Sequence, residues 1–212
     1  MPVSGPSPVL PVLPVLLVRH GRTAGNANGL VMGHCDLPLD EVGAAQVAAL
    51  AAALSTRSIA RVHTSPLRRA RQTAEALARA RGAALVVEPE LIELDFGVAA
   101  GAGPNGSRPK LAVKTNHLYD PLPGGESLHD VWLRLLGLFA RLQPELEQRG
   151  APGPMGSVAV VGHYRTNQLF EAMLRGQEFE SAVGDSVYKP ANAAVHEVCL
   201  ATGRTSLIWQ PR

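Results

Sequence analysis

The chain has 212 residues, 46% hydrophobic and 18% charged, which is enough apolar material for a sizeable core and excludes a mostly disordered protein. Lys and Arg number 20 against 18 Asp and Glu, a formal charge of +2, so binding nucleic acid through bulk charge is excluded and any cationic site must be local. Cys35 and Cys199 lie far apart and make neither a disulfide framework nor a zinc-finger pair, which is the usage of a reduced, cytoplasmic chain. Residues 1–13 are apolar but broken by Pro2, Pro6, Pro8 and Pro11, with no basic residue before Arg19. That predicts an irregular arm rather than a signal peptide or a membrane helix.

Val15, Leu16, Leu17 and Val18 predict a first buried strand, and the polar, glycine-bearing stretch from Arg19 to Asp40 a long loop. Asp40 is placed to cap an alanine-rich helix reaching Leu54, with Val42, Ala45, Ala49 and Leu50 on its apolar face. Residues 59–63 read as a second strand. Ser65 as N-cap and Pro66 in the first turn open a helix to Arg81 that ends at Gly82. Residues 84–87 form a third short strand. Residues 97–125, rich in Gly, Pro and Asn, predict a long surface excursion of the lid type. Ser127 and Asp130 make a capping box for a helix over 131–142 that Pro144 kinks or shortens, and 150–156 is a linker. The run from Ser157 to Gly162 lacks polar alternation and predicts a strand buried on both faces. A helix over 166–174 and strands over 193–200 and 205–209 follow. Strands alternating with helices, with no repeat and no second core, predict a single α/β domain with a largely parallel sheet.

In such a sheet, ligands bind beyond the carboxyl ends of the strands. His20 directly follows the first strand and His163 the buried run that ends at Gly162. Ser65, Arg68 and Arg69 leave another strand end, and Glu93 follows Leu91 and Ile92. Two imidazoles, a basic cluster and a carboxylate converging on one rim suit phosphoryl transfer. An imidazole attacks phosphorus if a backbone acceptor holds its other nitrogen in the right tautomer. Guanidinium forks neutralise the equatorial oxygens, and a carboxyl group can protonate the leaving alkoxide. Gly21 is read as the residue that lets a phosphate approach the backbone. With arginines supplying the positive charge, no metal and no other cofactor is called for.

Some residues have plainer readings. Arg69 sits at a helix start, where the macrodipole disfavours a cation, so an anionic partner explains it, while Arg68 is assigned to the surface. Glu90, Glu93 and Asp95 compete for the role of acid. The glycines at 101, 103 and 106 match a dinucleotide fingerprint, but no strand leads into them and no helix follows, so that reading is rejected. His34, His63, His117, His129 and His196 show no metal-ligand spacing. Lys110, Lys114, Asn116 and His117 lie in the lid-like stretch, where they either face solvent or meet the non-reacting end of a substrate.

The segment Leu17-Val18-Arg19-His20-Gly21-Arg22-Thr23 with Asn26, Gly33, Asp36, Leu39, Gly43 and Gln46 resembles the opening of the histidine phosphatase superfamily. This superfamily includes the cofactor-dependent phosphoglycerate mutases and their phosphatase relatives. The stretches 65–74, 91–97, 123–127 and 160–163 resemble its next four blocks, in family order, so the likeness spans about residues 15–200. The resemblance implies a three-layer α/β/α sandwich and a phosphatase acting on small phosphomonoesters. His20 would be the nucleophile, with Arg19, Arg69 and His163 on the phosphoryl group, Glu93 as proton donor, and Thr23 and Asn26 as secondary contacts. A mutase of the phosphoglycerate type and a silent phospho-ligand or protein-binding member are the alternatives. The implied partner is a small phosphorylated metabolite, not nucleic acid or membrane, with a homodimer left open. The chain departs from the family pattern twice. Val98-Ala99-Ala100-Gly101 replaces a Trp-Glu-Gly, and Tyr164 and Arg165 follow the second histidine where glycine is usual, which points to recognition of an anionic substrate tail or a narrowed site.

Overall fold

A computed structural model describes residues 14–103, 118–146, 156–184 and 190–212. The predicted N-terminal arm, the 150–155 part of the linker and most of the lid-like stretch, including Lys110, Lys114, Asn116 and His117, lie outside the described residues. The elements in order are β1 (Val15–Arg19), α1 (Ala24–Ala27), α2 (Glu41–Ala53), β2 (Ile59–Thr64), α3 (Arg68–Arg81) and β3 (Ala84–Val87). They are followed by α4 (Leu128–Leu146), β4 (Ser157–Gly162), α5 (Tyr164–Leu174), α6 (Phe179–Gly184), β5 (Val195–Cys199) and β6 (Arg204–Trp209). The six strands make one sheet in the order β3-β2-β4-β1-β5-β6. The first four of these pair in parallel, and β5 and β6 join antiparallel.

The period-2 alternation of strand side chains builds the layers. Val15 and Leu17 of β1 with Val158 and Val160 of β4 pack into one core with α4, α5 and α6. Leu16, Val18, Ala159 and Val161 point the other way, into a second core with α2 and α3. That is the three-layer α/β/α arrangement. Because both faces are covered, β4 is buried along its whole length, which is why its sequence lacks polar alternation.

Several local expectations need correction. The stretch after β1 holds a helix, α1, capped by Thr23, whose hydroxyl accepts from the Asn26 N–H. The buried face of α2 is Gly43, Val47 and Leu50, whereas Val42, Ala45 and Ala49 face outward. Alanines all round this helix leave hydrophobicity unable to choose a face. Leu67, not Ser65, is the N-cap position of α3, and Gly82 ends it in the left-handed conformation. The Ser127–Asp130 box forms, but α4 runs through Pro144 to Leu146. Helix α5 starts at Tyr164, two residues before the predicted start, and α6 has no counterpart among the predicted elements.

Candidate active site

The strand register assembles the site. Arg19 pairs with Gly162 across β1 and β4, so His20 and His163 leave adjacent parallel strands at the same level. The His20 N–H donates to Gly162 O at 3.0 Å, and the two imidazole centroids lie 5.2 Å apart. On the other side of β4, Thr64 pairs with Val161, so Ser65 leaves β2 beside them. Arg69 enters from the first turn of α3. His20, Arg69, His163 and Glu93 are 3%, 1%, 0% and 7% exposed, a concentration of buried polar groups at one rim of the sheet.

Each group is held. His20 Nδ1 lies 2.7 Å from Gly21 O; a carbonyl can only accept, so Nδ1 carries the proton and Nε2 keeps its lone pair. Arg69 donates through Nη1 to Cys35 O at 2.6 Å and through Nη2 to Gly33 O at 2.9 Å. Its Nε and the Nδ1 of His163 are buried and have no hydrogen-bond partner among the described residues. Arg19 is held through Nη1 by Pro190 O at 2.9 Å. Glu93 follows a 3-10 turn (Pro89–Leu91), not a strand. Its Oε1 accepts from Leu94 N at 2.9 Å and Thr166 N at 3.2 Å, with Thr166 Oγ1 at 3.1 Å, while Oε2 accepts only from Arg165 N at 3.3 Å. Its competitors are engaged elsewhere: Glu90 pairs with Arg141 at 2.9 Å, and Asp95 faces Gly97 N at 2.8 Å and His34 at 3.4 Å.

Three expected site residues take different parts. A Cβ on Gly21 would lie 2.8 Å from Gly43 O and 2.9 Å from Val47 Cγ2, so its missing side chain serves the packing of α2 rather than the approach of a phosphate. Its N–H is already given to Thr73 Oγ1 at 3.1 Å. Thr23 spends its hydroxyl in the α1 cap, donating to Asn26 Oδ1 at 3.0 Å, and Asn192 Nδ2 reaches the same oxygen at 3.3 Å. Thr23 and Asn26 therefore shape the loop after His20. Arg68 is exposed, as assigned. The guanidinium carbons of Arg19 and Arg165 each lie 5.5 Å from the centroid of the Tyr164 ring. Arg165 Nη1 also donates to Gln168 Oε1 at 2.9 Å.

Sequence reasoning missed a supporting shell. Arg134 grips the Glu93 turn through the carbonyls of Glu90 and Glu93 and forks onto Glu126, whose Oε2 accepts from Asp95 N. His34 Nε2 adds a 2.8 Å hydrogen bond to Glu93 O. The glycines at 97 and 125 let the segments around Asp95 and Pro123 meet backbone to backbone, because a Cβ on either would run into the other segment. Apart from the Arg134–Glu126 fork, these contacts are made to main-chain atoms, which leave little mark in a sequence.

Burial, followed by the charges of Arg69 and Arg19, holds the His20 pKa well below the ordinary imidazole value, against the opposing Gly21 hydrogen bond. Burial, then Arg69, His20 and Arg19, does the same to His163. Both rings are thus neutral in the folded protein at neutral pH. As pH falls below about 6.5 the unfolded chain takes protons that the folded rings refuse, so each ring removes about 1.4 kcal/mol of stability per pH unit until its own depressed pKa is reached. Urea midpoints measured from pH 7.5 to 5.5 should therefore fall with acidity, and less steeply in the His20→Gln/His163→Gln double variant. Parallel slopes would refute this origin. Among the described residues no cluster of His, Cys, Asp or Glu comes together to hold a metal ion, and no helix is long and apolar enough to cross a membrane.

A family model for the histidine phosphatase superfamily (branch 1) matches residues 15–209. The probable phosphoglycerate mutase GpmB of Photorhabdus laumondii is 33% identical over 129 residues, 58% of this chain and 60% of that protein. Its Yersinia enterocolitica counterpart is 41% identical over 87 residues, 41% of this chain and 40% of that one. The matched stretches thus span only about half the length of these curated relatives. Among solved structures, mycobacterial glucosyl-3-phosphoglycerate phosphatase complexed with VO3 is 26% identical with a TM-score of 0.74, covering 94% of this chain and 100% of that one. The α-ribazole phosphatase of Shigella flexneri shares the fold at 24% identity and a TM-score of 0.76, covering 93% and 96%.

Proposed function

Because this chain belongs to branch 1 of the histidine phosphatase superfamily, we propose that it hydrolyses small phosphomonoesters through a phosphohistidine on His20, without a metal ion. The observation that carries this reading is the pairing of a neutral His20, its Nε2 lone pair kept by the Gly21 carbonyl, with buried unpartnered nitrogens on Arg69 and His163. A lone pair beside cationic and polar nitrogens suits an electrophilic phosphorus carrying anionic oxygens. The phosphatase and mutase names of the relatives point the same way.

In this mechanism His20 Nε2 attacks phosphorus as the bond to the ester oxygen breaks. Arg19, Arg69 and His163 take up the charge on the equatorial oxygens. Glu93, protonated on Oε2, gives its proton to the departing alkoxide. The resulting carboxylate then takes a proton from the water that attacks the phosphohistidine, releasing inorganic phosphate and neutral His20. The two free cysteines fit a cytoplasmic setting with a phosphorylated metabolite as substrate.

Tyr164 and Arg165 bear on which metabolite. Among the described residues Arg165 makes no ion pair, and its guanidinium shares the Tyr164 ring with that of Arg19, in position to read a second anion on the substrate. Phosphate release from p-nitrophenyl phosphate in EDTA is the expected result for the purified protein. Among natural esters, 3-phosphoglycerate should be preferred to glycerol 3-phosphate, which lacks the carboxylate, by about tenfold, and Arg165→Gln should reduce that ratio. Isomerisation of 3-phosphoglycerate primed with 2,3-bisphosphoglycerate would identify a mutase instead. Silence with every substrate would identify a binding protein.

A further inference from the structure

Ser65 belongs to no step of the proposed mechanism, yet its hydroxyl touches one of that mechanism's groups. Its Oγ lies 2.7 Å from His163 Nε2 and accepts from Leu67 N at 3.3 Å. Ser65 and His163 are each 0% exposed, so water cannot repair a mismatch between them. We infer that Ser65 is a positioning residue that fixes the tautomer of His163, placing the ring proton on Nδ1 and so presenting a buried N–H to the transferred phosphoryl group.

The argument is a count of protons and lone pairs. A hydroxyl has one proton to give and two lone pairs to receive. Leu67 N–H takes one lone pair. If His163 carried its proton on Nε2, that N–H would take the second, and the hydroxyl proton would be stranded in a fully buried position with no acceptor among the described residues. A stranded buried donor is costly, whereas the reverse arrangement satisfies every atom of the serine. The hydroxyl then donates to Nε2, and the ring proton must sit on Nδ1. That nitrogen is buried without a hydrogen-bond partner among the described residues.

The surroundings say what it awaits. Arg69, Arg19 and Arg134 add positive charge around His163, and with burial they keep the ring neutral, so its tautomer is a real choice. None of them can accept a hydrogen bond, and an anion can. His20 and His163 thereby carry their protons on the same ring position and present opposite faces. The Gly21 carbonyl covers the N–H of His20 and leaves its lone pair open. The Ser65 hydroxyl covers the lone pair of His163 and leaves its N–H open. One ring attacks and the other donates.

The tautomer stands on geometry alone; only its use at a phosphoryl group rests on the proposed function. Nitrogen-15 spectra of the uniformly labelled, unmodified protein, with the His163 ring assigned by through-bond correlation to its own backbone, should show a protonated Nδ1 and a bare Nε2. A proton on Nε2 in the unmodified protein overturns the inference whether or not any variant folds. Ser65→Ala should release the preference and lower kcat/KM for p-nitrophenyl phosphate by about tenfold to a hundredfold. An unchanged His163 spectrum in Ser65→Ala would equally overturn it. If the tautomer is as inferred but the unmodified protein releases no phosphate, it is the phosphatase reading that fails.

Discussion

Replacing His20 with alanine should abolish turnover of p-nitrophenyl phosphate, a loss of at least about 10⁴-fold, while inorganic phosphate still binds. The size of the loss follows from the lack of a substitute. His163 is the imidazole lying beside His20, and its Nε2 is occupied by the Ser65 hydroxyl at 2.7 Å. Binding survives because the cationic part of the cradle does not depend on His20. Arg69 is fixed by the carbonyls of Gly33 and Cys35, and Arg19 by that of Pro190. The imidazole of His20 is also more than a packing group, since burial and two guanidinium charges hold it neutral and ready to attack well below pH 6.5. The acid limb of kcat/KM should accordingly lie below the range of an ordinary imidazole. Steady-state rates with an acid-quench trap for labelled phosphohistidine test both points. Residual activity within a hundredfold, or a phosphoprotein that persists in the variant, would remove His20 from the nucleophile's place.

The residues at strand ends were legible in the sequence, and the shell that positions Glu93 through main-chain atoms was not. His20 and His163 each follow an apolar run too regular to be anything but a buried strand, and parallel pairing in register then makes them neighbours. Nothing comparable marks Glu93, which follows a 3-10 turn and is placed by Arg134, Glu126 and His34 acting largely on backbone. Gly21 shows a second kind of failure. A glycine beside a nucleophile reads as room for a ligand, but the crowding comes from α2, a contact across 22 residues that only the folded chain reveals. The face of α2 was hidden for a third reason: a helix made largely of alanine has no periodic contrast to read. The Thr23–Asn26 cap lay in plain view as a spacing, yet a four-residue helix is too short for periodicity to announce it.

Exchanging Glu93 for glutamine should slow hydrolysis of alkyl phosphates by about 100-fold or more, and of p-nitrophenyl phosphate far less. The difference is the signature of a proton donor, because nitrophenolate departs without help and an alkoxide does not. The hydrogen bonds say which oxygen does the work. Oε1 is crowded by Leu94 N, Thr166 N and Thr166 Oγ1, so Oε2, with only Arg165 N at 3.3 Å, is the oxygen with room for a proton. The amide must then place its NH2 where Oε2 was, donor facing the Arg165 N–H, because the opposite flip would turn it against the N–H groups of Leu94 and Thr166. That mismatch loosens the first turn of α5 next to His163 and lowers every rate somewhat. A purely structural effect of this kind falls equally on good and poor leaving groups, whereas loss of the acid does not. The ratio of the two rates in Glu93→Gln, relative to the unmodified protein, therefore separates the roles. If the ratio stays constant, Glu93 serves only to cap α5, and the proton must come from elsewhere.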